Sequence, residues 1–209
     1  MLKLVASLLL LLFVNHITVA SGHVAASFSN STVEAAPIRC ADPRLTNVYV
    51  QSYSPSGKFH LIQMSTEFVD SLTVGNGDFG FQGNIFRAWN TPQPSTFPLY
   101  RLVTPPPLDY LFVLSTDGNA PAVPGYHSDF IPAYIYSTQI CNSIPLYSAT
   151  RADATDHYYT TVLSERDDLI NRWGWTDSGI IGYVLPLTPV AELKQELTGG
   201  NDYTETNSE

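Results

Sequence analysis

Pro145-Leu146-Tyr147, then Asp156-His157-Tyr158-Tyr159-Thr160-Thr161, then Ser164-Glu165-Arg166-Asp167-Asp168-Leu169-Ile170, then Gly174-Trp175-Thr176-Asp177-Ser178-Gly179-Ile180-Ile181-Gly182-Tyr183-Val184: this succession of short runs within residues 145–184 decides how the chain is read. Two earlier stretches carry the same punctuation. Each opens on a hydrophobe and an aromatic, Val48-Tyr49 and Leu99-Tyr100 against Leu146-Tyr147, and the openings lie 51 and 47 residues apart. A second strand-like run starts nine residues after each Tyr, at Lys58, Asp109 and Asp156. A glycine then opens a third run with an aromatic nine residues on, as Gly77 with Phe86, Gly125 with Tyr134 and Gly174 with Tyr183.

Two offsets of nine, each held three times, indicate internal repetition, which outranks any single-residue signal. The distance from Tyr to Gly is 28, 25 and 27 residues, so length varies between runs, where loops take insertions. Each unit reads as strand, turn, strand, variable connection, strand pair. The turns are Ser54-Pro55-Ser56-Gly57, Thr104-Pro105-Pro106-Pro107 and Arg151-Ala152-Asp153-Ala154, all built from turn formers. The third connection reads as a helix with Ser164 as N-cap, Asp167 as its reciprocal partner, and Leu163, Ile170 and Trp173 facing inward. Asp117-Gly118-Asn119-Ala120-Pro121 in the second connection does not suit a helix.

The expected fold is therefore all-β and β-trefoil-like, with repeats at residues 47–97, 98–144 and 145–186 and a short helix in the third. A small sandwich or an open repeat array is the alternative. Frequent Tyr, Phe, Pro and Gly beside few Lys agree with short strands and turns.

The flanks read differently. Residues 1–20, with Lys3 as the one charge before an apolar run from Leu4 to Val14, read as a secretory signal too short to span a bilayer. Residues 21–46 read as a flexible leader holding Cys40 and the glycosylation sequon Asn30-Ser31-Thr32. Residues 187–209 read as a short helix, from Pro189 to Leu197, and a disordered acidic tail. Cys40 and Cys141 are the only cysteines. In an oxidising compartment they read as one disulfide, the alternative being two free thiols. The protein is thus expected outside the cell, with no membrane contact after the signal is cleaved. The net charge of −9 and the lack of basic patches argue against nucleic acid.

Asp156-His157-Tyr158-Tyr159 is the most pointed cluster. As a ligand pocket, a carboxylate would accept hydroxyl protons, His or Arg would add hydrogen bonds, and an aromatic face would cover a sugar ring. Asp156, His157, Tyr159, Arg166, Trp175 and Asp177 are the candidates, and a glycan or an extracellular protein the partner. The competing reading makes them scaffold: Asp156 caps a turn, His157 is satisfied inside the unit, Tyr159 and Trp175 are core, and Arg166 pairs with a carboxylate. No catalytic residue is assigned. Gly-x-Ser-x-Gly, P-loop and His-Glu-x-x-His patterns are missing. No metal or cofactor is expected, because His23, His60, His127 and His157 each stand alone.

The third unit resembles a secreted fungal and bacterial repeat family of uncharacterised function. Its units read proline, hydrophobe, tyrosine, arginine, then aspartate-histidine-aromatic-tyrosine-threonine-threonine, glutamate-arginine-aspartate, glycine-aromatic and glycine-tyrosine. The matching residues are Pro145-Leu146-Tyr147, Asp156 to Thr161, Glu165-Arg166-Asp167, Gly174-Trp175 and Gly182-Tyr183. The resemblance implies an extracellular accessory or binding module. Ser148 stands where the family has Arg, and Lys58-Phe59 and Asp109-Tyr110 stand where it has Asp-His, which leaves one intact site, in the third unit.

Overall fold

A computed structural model describes residues 37–75 and 77–187. The segment read as a signal, Asn30, the helix read from Pro189 to Leu197 and the acidic tail lie outside the described residues. Nine strands and two helices follow in order: β1 (Asn47–Ser54), β2 (Phe59–Met64), α1 (Ser65–Thr73), β3 (Gly80–Ala88), β4 (Thr96–Val103), β5 (Tyr110–Leu114), β6 (His127–Tyr136), β7 (Ile144–Arg151), β8 (Asp156–Thr160), α2 (Leu163–Trp173) and β9 (Thr176–Val184). Among the described residues, no helix is long and apolar enough to cross a membrane.

The architecture is mostly β, in two antiparallel sheets ordered β2-β1-β3 and β5-β4-β6-β9-β7-β8. Neither closes into the barrel of a trefoil. Three strands form in each segment where a trefoil needs four, and a helix or loop occupies the chain between the second and third.

Turn chemistry explains the hairpins. Lys58 (φ 59°) and Thr155 (φ 49°) take the left-handed conformation that closes the first and third. Asp78 braces the first turn by accepting from the Ser54 hydroxyl at 2.6 Å and the Ser56 amide at 2.8 Å. These hydrogen bonds, Ser54 first, hold its carboxyl below the usual range.

The register along the middle strands repeats. β1 passes from Tyr49↔Phe86 to Val50↔Asn84, β4 from Leu99↔Ala133 to Arg101↔Phe130, and β7 from Leu146↔Gly182 to Tyr147↔Ile180, each shift being a bulge on the third strand. By this register Tyr49 matches Leu99 and Leu146, all fully buried, while Val50 matches Tyr100 and Tyr147. The expected equivalence of the three tyrosines fails by one residue at Tyr49. A one-residue offset turns a side chain to the other face, so Tyr49 is core whereas Tyr100 and Tyr147 are half-buried.

The third strands meet at their C-terminal ends. Trp89 bridges Tyr134, Tyr136 pairs with Tyr183, and Leu185 bridges Arg87. The main core gathers matching positions: Tyr49, Leu99 and Leu146, then Phe86 and Ala133 beside Gly182, then Ala88, Ile135 and Val184, then Ile62, Phe112 and Tyr159. A smaller cluster holds Ala41, Trp89, Tyr136 and Leu185.

Cys40 and Cys141 form a disulfide across a separation of 101 residues. The Ala41 amide donates to the Tyr136 hydroxyl at 3.0 Å, and Trp89 Nε1 donates to the Asp42 carbonyl at 2.7 Å. The end of the segment read as leader is therefore pinned to the sheets.

The helices depart from expectation. The first connection, read only as variable, holds α1, and α2 starts at Leu163 with Val162, not Ser164, at its N-cap. Glu165, not Asp167, closes the turn: it accepts from the Thr160 hydroxyl, whose oxygen accepts the Val162 amide at 3.0 Å. Leu163 and Trp173 are 51% and 64% exposed, so they do not face inward. The covered face carries Arg166, Asp167, Leu169 and Ile170, with the Arg166 guanidinium 5.8 Å from the Tyr147 ring centre. Gly174 ends the helix at φ 72°, the left-handed C-cap that glycine adopts without strain.

Candidate functional site

β2 and β8 lie side by side, and a cleft of about 350 Å³ opens beside their hairpin turns. Its floor is a buried pair. The Asp156 carboxylate accepts the His60 backbone amide at 2.8 Å and lies 2.8 Å and 3.0 Å from His60 Nδ1. Gln82 Nε2 lies 3.2 Å from His60 Nε2. With Gln82 donating there, Nδ1 carries the proton that it donates to Asp156. Both side chains of the pair are under one-tenth exposed.

Aromatic rings surround that imidazole. Tyr53 lies 4.7 Å from it, Tyr158 4.9 Å and Trp175 6.1 Å, centre to centre. Tyr53 and Trp175 are half-exposed and line the cleft, while Lys58 and Arg151 stand at the hairpin turns on its rim. The Arg151 guanidinium also pairs with Asp153 at 3.1 Å, both well exposed.

The sequence-predicted residues separate into three groups. Asp156 and Trp175 share the cleft. His157 and Tyr159 point into the interior. His157 Nδ1 meets Asp109 Oδ1 at 3.0 Å, and the Tyr126 hydroxyl donates to the other Asp109 oxygen. The Tyr159 hydroxyl accepts the Phe112 amide at 3.0 Å, and its own amide donates to Gln51 Oε1 at 3.3 Å. Burial first of all raises the Tyr159 hydroxyl far above its ordinary pKa.

Arg166 and Asp177 form an ion pair between α2 and β9, extended by Arg166 to Asp167 at 2.8 Å. The Gly179 amide and then Arg166 hold the Asp177 carboxyl below its usual range. So Arg166 and Asp177 fasten a helix to a strand and do not reach the cleft.

Sequence reasoning missed Tyr53, Lys58, His60, Gln82 and Arg151. His60 had no visible partner because Asp156 lies 96 residues away. The pair has the base-and-orienter half of a hydrolytic dyad, yet Nε2 faces an amide and not a hydroxyl or thiol. Among the described residues, no three His, Cys, Asp or Glu side chains converge as a metal site.

The chain belongs to the family described as a domain of unknown function, DUF5648, whose model matches residues 48–185. No curated protein and no solved structure matches it.

Proposed function

We propose that this DUF5648 domain is three copies of one strand–strand–connection–strand unit, at residues 47–97, 98–144 and 145–186, joined head to tail. Three facts support it. The bulges fall at matching points on β1, β4 and β7. The bridges Trp89–Tyr134, Tyr136–Tyr183 and Leu185–Arg87 run cyclically between matching positions. A second ring of contacts does the same: His60 with Asp156, His157 with Asp109, and Tyr110 with Phe59 at 4.8 Å. By hairpin register His60, Tyr110 and His157 are equivalent, as are Phe59, Asp109 and Asp156. On this reading two of the three joints are buried histidine–carboxylate hydrogen bonds and the third an aromatic pair.

The module acts outside the cell as a non-catalytic binder, and its ligand is a carbohydrate. The Trp175 cleft carries this reading. Half-exposed Trp175 and Tyr53 rings stand beside Gln82, Lys58 and Arg151, an apolar platform flanked by donors that suits the two-faced chemistry of a sugar ring. His60 and Asp156 saturate each other and serve as the floor. The disulfide accords with an oxidising compartment.

The test is a glycan array followed by calorimetry on the wild type and Trp175→Ala. Binding that weakens at least about tenfold, or ~1.4 kcal/mol, with an unchanged melting temperature supports the cleft. No binding at neutral or mildly acidic pH, with or without calcium, overturns the carbohydrate reading.

A second reading, a protein-interaction module, rests on exposed Val162 and Leu163 at the start of α2 and exposed Trp173 at its end. Loss of partner capture in Trp173→Ala, with glycan binding absent, would favour it.

A further inference from the structure

A second concavity, of about 420 Å³, lies between β3 and β8. Gln51, Gln82, Asn84, Tyr158, Thr161 and Glu165 supply its polar groups. It shares Gln82 with the Trp175 cleft, and the touching rings of Tyr158 and His60 line one hollow each. We propose that this pocket is a distinct binding site for a small, neutral, hydroxyl-bearing ligand of the sugar or polyol class.

Gln51 carries the inference. It is 1% exposed. Its Oε1 accepts the Tyr159 amide at 3.3 Å, which sets the orientation of the carboxamide. Its Nε2 is then the one buried side-chain polar atom without a hydrogen-bond partner among the described residues. The Tyr158 hydroxyl donates to Glu165 at 2.7 Å, and its oxygen lies close enough to the Gln51 carboxamide to be influenced by it without making a hydrogen bond to Nε2. An orphaned buried donor costs about 1–3 kcal/mol, and a ligand oxygen relieves that cost.

The matching positions in the other units are not left this way. Arg101 pairs with Asp129 and lies 4.1 Å from the Phe130 ring centre, and Ser148 has too short a side chain to leave an amide behind.

The remaining groups define the ligand class. Glu165 accepts from Tyr158 and Thr160, which fills about two of the roughly four acceptor positions of a carboxylate; the others take ligand hydroxyls. No Lys, Arg or His lines the pocket, and the Glu165 charge repels anions. A volume of about 420 Å³ falls within the ~300–1,000 Å³ of small-molecule sites.

The experiment follows the side-chain amide resonances of Gln51 and Asn84 in the folded, disulfide-intact protein. The probes are methyl glycosides of glucose, galactose, mannose and xylose, with glucuronate as the anionic control. Saturable shifts with at least one neutral glycoside, weakened about tenfold or more by Glu165→Gln and by Asn84→Ala and untouched by Trp175→Ala, are expected. Asn84 and Glu165 are exposed, Glu165→Gln keeps an oxygen that can accept from Thr160, and the melting temperature of each variant is measured beside its binding. The inference is overturned if no neutral probe moves these resonances at about 20 mM, well above a ~1 mM Kd. It is also overturned if glucuronate binds as tightly as the neutral probes, or if the pocket variants bind like wild type. Loss through Trp175→Ala alone would instead assign the binding to the cleft.

Discussion

Replacing Asp156 by Ala separates scaffold from ligand contact at the heart of the cleft. The substitution removes the acceptor of two buried donors, the His60 backbone amide and His60 Nδ1. Each orphaned donor costs about 1–3 kcal/mol. With two donors orphaned together, the expected loss is about 2–5 kcal/mol. Surface screening takes little from it, since both side chains are nearly covered. In a domain of this size that is roughly 10 °C in melting temperature.

The assay is urea unfolding with the disulfide intact, run as a double-mutant cycle with His60→Phe. A coupling of at least about 1.5 kcal/mol is expected. His60→Phe with Asp156→Phe should recover much of the loss, because Phe59 and Tyr110, at corresponding hairpin positions, already pack as an aromatic pair. A cost below about 1 kcal/mol for Asp156→Ala, together with lost ligand binding, would refute the scaffold assignment and make Asp156 a ligand contact.

Two further outcomes follow from the packing. In Gly182→Ala the added Cβ would sit 2.5 Å from Ile135 Cδ1 and 3.1 Å from the Tyr136 carbonyl oxygen, so thermal unfolding should show about 1–3 kcal/mol of overpacking strain; a neutral variant would place β6 and β9 farther apart. Burial raises the hydroxyls of Tyr49, Tyr126, Tyr158 and Tyr159, with carboxylate partners adding to the effect at Tyr126 and Tyr158. A raised folded pKa gives stability that is complete below the unfolded value of about 10 and lost as pH climbs from there through the folded values. Spectrophotometric titration should therefore find these tyrosines protonated in the native protein where an unfolded chain has ionised, and alkaline unfolding should release them together; ordinary titration of all tyrosines in the native state would contradict this.

Much of the strand order was legible because turns are written in local chemistry. Ser54-Pro55-Ser56-Gly57 and Arg151-Ala152-Asp153-Ala154 mark their hairpins, and Gly174 marks the helix end. The disulfide followed from two cysteines and no others. What stayed hidden was longer in range or weaker in signal. Val48-Tyr49 looks like Leu99-Tyr100 on paper, yet the bulge falls one residue later relative to the dipeptide and turns Tyr49 inward. Four of the nine residues of α1 are Ser or Thr, whose weak helix propensity masked it. Asp156 and Trp175 line one cleft with His60, Tyr53 and Lys58, which arrive from the other end of the chain and so carry no local signal. His157 and Arg166 stand out in the sequence as polar residues on a patterned segment, and in the structure both make internal pairs.

Native-state hydrogen exchange at the three seams tests head-to-tail closure most directly. The Arg87 and Leu185 amides bond each other's carbonyls at 2.9 Å and 3.0 Å, and the Tyr134 amide bonds the Trp89 carbonyl at 2.6 Å. If three units close on one another, these amides and that of Tyr136 or Tyr183 exchange only through global unfolding, with one shared free energy. A seam exchanging at least about tenfold faster than the others, ~1.4 kcal/mol lower, would mean that the ring opens there independently, and the account of a closed three-unit domain would fail.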